Sequence, residues 1–288
     1  MDKMSDNIKR LIKRPGILLA FSFVTLVFCV FEYIFFFPVV LGISSIRSGN
    51  TLDSMMHVIQ LVTSLVSNIK YLIYGLAALV LTGLFSGLIL SGPFYLLNNF
   101  LSKRARMKGE FWKGIKKHFV RLSFISTSVV VYTFLFAIFM AIVSVPAIAV
   151  TRSFISGNSK LLIVTIVFDV ITLGVLFFGF TFFRLYMLFW YPAALNFKGR
   201  FFAIGKYAAD TYFWKIVSGL ILFDMVFLLF EFILIYLNSS LSAGEYTDIA
   251  RVFILIFINW IFKTVFFILL TVFTFSKFLL FKSRLVKG

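Results

Sequence analysis

The stretch YLIYGLAALVLTGLFSGLILSGPFYLL, residues 71–97, decides the fold class. No Asp, Glu, Lys or Arg occurs between Lys70 and Lys103. A helix needs about 20 mostly apolar residues to cross a hydrocarbon core about 30 Å thick, and this run exceeds that. The run between Arg121 and Arg152 is equally free of charge. Working outward from these two, the sequence predicts six transmembrane helices over residues 17–40, 71–97, 122–150, 161–183, 216–237 and 252–276. The fourth has enough apolar sequence to continue to Pro192 as a long, tilted helix. The first is too long for a signal-peptide core, which spans roughly 7–15 residues. It is read as an uncleaved span opened by Pro15, a residue suited to a helix start.

Composition agrees. Of 288 residues, 61% are hydrophobic and 14% charged, whereas a soluble domain carries about a quarter charged residues. So much apolar side chain cannot be hidden inside one water-soluble globule. The formal charge of +17 would suggest nucleic acid in a soluble protein. Here the cations sit in short segments between apolar runs, which is the pattern of membrane topology. Nucleic acid is therefore not an expected partner. Cys29 is the sole cysteine, so the chain cannot form an internal disulfide.

The cations alternate between sides. The N-terminus carries five, residues 103–121 eight, residues 198–215 four and the C-terminal end four, 21 in all; the three intervening loops carry five. Cytoplasmic loops hold the Lys/Arg excess. The expected architecture is all-α, one integral membrane domain over residues 1–288, with both termini on the cytoplasmic side of a cell membrane.

Two basic segments interrupt the bundle. From Glu110 to Leu122, the apolar residues Phe111, Ile115, Phe119 and Leu122 recur at helical spacing, with Lys113, Lys116, Lys117 and Arg121 elsewhere around the wheel. This predicts an amphipathic elbow helix lying in the headgroup plane, with those four cations contacting anionic lipid headgroups. The alternative is an ordinary basic loop. The second segment repeats the order: Pro192, Asn196, Phe201-Phe202 and Lys206 parallel Pro93, Asn98-Asn99, Phe111-Trp112 and Lys116. Span, proline, aromatic elbow and next span, twice over six helices, resembles the bacterial membrane domain that anchors some glycerophosphodiester phosphodiesterases. It also resembles stand-alone six-helix bacterial membrane proteins related to that domain. The resemblance implies a bacterial inner membrane. It implies no catalytic residue, because the metal-binding acids of the soluble phosphodiesterase domain have no counterpart.

Enzyme signatures are absent: there is no HExxH, P-loop, dinucleotide fingerprint or serine elbow. His57 and His118 fall on opposite sides of the predicted membrane and cannot share a metal. Asp169 and Asp224 lack the GxGD context of intramembrane aspartyl proteases. No cofactor is expected. On the outer side, Leu52, Met55, Ile59, Val62, Val66 and Ile69 form a stripe read as an outer extension of the second span or an interfacial helix.

Six ionisable residues fall within or beside spans: Glu32, Asp169, Arg184, Asp224, Glu231 and Lys263. Such groups pair together, face a bundle interior or mark a pathway. At about 1.5 Å per residue, Asp224 and Lys263 reach similar depth, and their helices are neighbours in sequence. They are expected to pair, with Glu32, Glu231 and Asp169 in the outer half. Arg184 is expected to snorkel toward inner headgroups. Gly83, Gly87 and Ser91 form a small-residue stripe suited to close helix packing. Together these readings point to a non-enzymatic polytopic membrane protein, a permease-like or envelope-system subunit with another transport subunit as partner. The alternatives are a lipid-interacting scaffold working through the elbows and a lipid-modifying enzyme.

The charge alternation makes topology testable. Periplasm-dependent reporters fused in the Asn50 and Gly157 loops are expected to be active, and one at the C-terminus inactive. An active C-terminal fusion contradicts the assignment.

Overall fold

The computed structural model describes residues 2–45, 69–105, 107–155, 157, 159–242 and 248–285. Among these residues there are eight α-helices and no strand. Six are long and apolar enough to cross a membrane: α2 (Pro15–Ser45), α3 (Ile69–Leu101), α4 (Glu110–Ile155), α5 (Leu162–Asn196), α7 (Phe213–Ser242) and α8 (Asp248–Leu285). The short helices α1 (Asp2–Ile12) and α6 (Phe201–Thr211) lie at one end of the bundle. The outer stripe from Leu52 to Val66, and His57 within it, lie outside the described residues.

Large apolar side chains face outward all round the bundle; Ile163 is 75% exposed and Phe232 70%. Water would not tolerate this surface, whereas lipid does. The chain is therefore a multi-pass membrane protein.

Helix α1, residues 102–105 and 107–109, α6 and the end of α8 gather at one end, called here the basic end. Asn7 of α1 reaches Ser276 of α8 (3.3 Å), and Asn196 Nδ2 of α5 donates to Asn98 Oδ1 of α3 (2.9 Å). These asparagines follow Pro93 and Pro192, so the two parallel sequence segments meet through corresponding residues. Most of the buried core lies in this half. One cluster joins Phe21, Phe94, Val272 and Phe275 from α2, α3 and α8. Another joins Leu185, Phe189, Leu220 and Phe278 from α5, α7 and α8.

The segment from Glu110 to Leu122 is helical, as expected, but it does not lie flat. It continues without a break into the third span, giving a 46-residue helix, about 69 Å long at 1.5 Å per residue. Its buried face carries Glu110, Gly114, His118 and Leu122, while Phe111, Ile115 and Phe119 are half-exposed. The reason is the partner. The end of α3 runs antiparallel beside it, and Gly114 lets the Tyr95 ring approach so closely that a Cβ there would stand 2.7 Å from the Tyr95 Cβ. Protein packing thus takes the face that a free elbow would give to lipid. The second elbow does form a separate helix, α6, which ends at Thr211, with Tyr212 as its C-cap, before α7 begins.

The small-residue stripe packs the bundle. A methyl group at Gly83 would fall on the Thr127 backbone of α4, and one at Gly87 on the Ser123 backbone. Ser91 is fully buried on the same line. Gly75, by contrast, meets nothing within 4 Å. Gly87→Ala should therefore force α3 and α4 apart and cost about 1–3 kcal/mol, whereas Gly75→Ala should not lower stability, because Ala is the better helix former and its methyl group meets nothing there. Thermal unfolding of the two variants in detergent checks this; equal midpoints would contradict the close packing.

Candidate functional site

The polar groups of the spans collect on particular helix faces. In α2, Ser22, Thr25, Cys29 and Glu32 follow at spacings of three, four and three residues, which places them on one stripe. This stripe meets α8. Trp260 Nε1 donates to the Ser22 carbonyl (2.8 Å), and the hydroxyls of Thr25 and Thr264 bond each other (2.5 Å). At the far end of the seam, Lys263 Nζ donates to both Glu32 oxygens (2.8 and 2.7 Å) and stands 3.4 Å from Glu231 Oε1 of α7. Lys263 is thus held between two carboxylates, and the triad carries one net negative charge when all three are ionised.

Asp224 does not pair with Lys263. It forms a buried ion pair with Arg184 of α5, and Thr181 Oγ1 donates to its other oxygen (3.3 Å). The Asp224 side chain is 5% exposed and that of Arg184 18%. Arg184 also lies against the Phe180 and Phe266 rings, 5.8 and 5.9 Å from their centroids. The expected snorkelling of Arg184 toward headgroups is therefore overturned. α5 runs to Asn196, so Arg184 lies twelve residues inside the helix, about 18 Å from its end. That is close to the depth of Asp224. Asp169 accepts from Thr151 Oγ1 of α4 (3.0 Å) and joins neither cluster.

Between these groups lies a cavity of about 410 Å³. It is lined from all six spanning helices: Thr25 and Cys29 of α2, Ser86 of α3, Ser126 of α4, Tyr191 of α5, Phe227 of α7, and Lys263 and Phe267 of α8. Its wall is apolar apart from these hydroxyls, the thiol and one ammonium. The sequence reading missed this site. The signal available was the stripe of small and polar residues in α2, because such residues are out of place on a lipid-facing surface.

At the basic end the four expected lipid-contacting cations separate. Lys113, Lys116 and Lys117 are exposed, and Trp112 beside them is 65% exposed. Arg121 instead turns inward. Its Nη1 donates to the carbonyls of Ala194 (2.7 Å) and Phe197 (3.0 Å), capping the C-terminal end of α5. A cation there satisfies carbonyls left without helical partners and complements the helix dipole. Arg121 is thus held by backbone carbonyls of the protein.

No protein-family model, curated protein or solved structure matches this chain.

The pair Arg184–Asp224 is testable by a double-mutant cycle. Removing one partner of a buried pair costs about 3–5 kcal/mol, whereas replacing both is often neutral. Asp224→Asn and Arg184→Met should each lower the detergent unfolding midpoint sharply, and the double variant should recover much of the loss. A double variant as unstable as the sum of the singles would contradict the pairing.

Proposed function

We propose that this chain is a non-enzymatic, permease-like membrane subunit of a bacterial cytoplasmic membrane, with its binding site in the central cavity. The observation that carries this reading is the lining of that cavity by residues from all six spanning helices, Lys263 among them. A pocket to which every span contributes changes its access whenever the spans shift relative to one another. Such a pocket near the middle of the bundle is also where transporters place their sites. The Lys263–Glu32–Glu231 triad supplies the polar element: an ammonium facing the cavity, with two carboxylates that suit a cation or a proton. A packing role alone needs no space beside the charge. The cytoplasmic orientation of both termini is supported by the Lys/Arg alternation, and the bacterial inner membrane by the resemblance to the anchor domain. A further transport subunit is the partner this reading implies.

A lipid-interacting scaffold is the second reading, favoured by exposed Lys113 and Lys116 beside the exposed Trp112 ring. An indole next to cations is typical of the membrane interface.

Cys29 provides the test, because it is the chain's sole cysteine, lines the cavity and is 1% exposed. A small charged thiol reagent applied to native membranes is expected to modify it, and Lys263→Gln to change the rate. If Cys29 stays unmodified from both faces yet reacts fully after denaturation, the cavity is a closed core and the permease reading falls.

A further inference from the structure

A second cavity, of about 210 Å³, opens at the basic end. Five cations line it: Arg104, Lys117, Arg121, Lys198 and Lys282. They come from four separate parts of the chain, namely the loop after α3, α4, the segment after α5, and the end of α8. Among the described residues no carboxylate lines it. Glu110, which is buried nearby on α4, is already engaged by Asn99 Nδ2 (2.6 Å).

Among the described residues these cations have only neutral partners. Arg121 donates to two backbone carbonyls, Lys282 Nζ donates to Asn196 Oδ1 (2.8 Å), and Arg104 Nη1 to Asn99 Oδ1 (3.4 Å). No ion-pair partner is found for Lys117 or Lys198 among the described residues. Five like charges around one small space repel one another, and amide oxygens offset this only in part. An anion would remove the repulsion. The cavity also holds a polar group without a partner. His118 lines it and is 4% exposed, and its Nδ1 has no hydrogen bond. Most buried polar atoms in proteins have a partner, so an orphan nitrogen beside five cations points to a missing one.

We propose that this cavity binds a phosphate group. A guanidinium pair suits the oxygens of a phosphate, and ammonium groups add point charges around it. At about 30 Å³ per water molecule, the space holds roughly seven waters, enough for a phosphate with some of its hydration. The group comes either from an anionic phospholipid headgroup or from a free phosphorylated solute. Exposed Trp112 and Trp214 at the same end, 65% and 79% exposed, put the opening where headgroups lie. The site is separate from the central cavity and does not depend on the permease reading.

The experiment uses the full chain, with binding read from thermal stabilisation at constant ionic strength. One arm titrates inorganic phosphate against the protein in neutral detergent, with chloride as control. The other compares nanodiscs of phosphatidylcholine alone with nanodiscs containing phosphatidylglycerol. Lys117→Gln with Lys198→Gln removes two lining charges that hold no ion-pair partner among the described residues, so the fold should survive. Lys113→Gln with Lys116→Gln removes equal charge outside the cavity. Stabilisation by phosphate identifies a free phosphate as a source, and stabilisation only by phosphatidylglycerol identifies the headgroup. In either case the lining pair should lose affinity at least about tenfold, and the outer pair less than about twofold. No stabilisation in either arm, or equal losses in both double variants, overturns the site.

Discussion

A charge inside hydrocarbon has to meet an opposite charge, because leaving one unpaired costs at least about 2.5–3.5 kcal/mol on insertion scales. The bundle is organised around that constraint. Lys263 on the last helix is held by Glu32 on the first and Glu231 on the fifth, so a single ammonium ties together the two ends of the chain and a third span. Arg184 and Asp224 do the same for α5 and α7. The two clusters fasten α2, α5, α7 and α8 by charge.

α3 and α4 are fastened by shape. Gly83 and Gly87 bring the backbones together where Ser123 and Thr127 face them, and the contact runs down to Gly114 against Tyr95. Apolar burial drives little association between helices in lipid, so close backbone approach takes its place. This closely packed hairpin carries Arg121 to the C-terminal carbonyls of α5 and His118 to the basic cavity. The corresponding asparagines, Asn98 and Asn196, meet there too. The basic end is therefore a built, hydrogen-bonded structure as well as a topology signal.

Much of this was legible in the residues. Apolar runs as long as a bilayer needs located six spans, and the Gly83-Gly87-Ser91 stripe announced a packing face. The pairing of charges was not legible. Depth along a helix follows from counting residues, and Asp224 and Lys263 agree in depth; but depth says nothing about which way a side chain points. The fourth span does continue past residue 183 through Pro192, as its apolar sequence allowed, and α5 ends only at Asn196, so Arg184 lies well inside the helix rather than near its end. The elbow was misjudged for a related reason. Its apolar stripe predicted a lipid face, yet the residues that the fold buries are those at Gly114 and His118, chosen by the neighbouring helix.

The sequence by itself determined the number of spans, the class of fold and the gathering of cations on alternate loops. Each of these depends on local hydropathy and the fixed rise of a helix. Only the tertiary structure decided that the first helix packs on the last, that Glu32 rather than Asp224 meets Lys263, and that five distant cations surround one cavity. Those facts depend on the rotation of each helix about its own axis and on the order of helices around the bundle. Both are set by side-chain packing between segments that lie far apart in the chain, as Glu32 and Lys263 do at a separation of 231 positions.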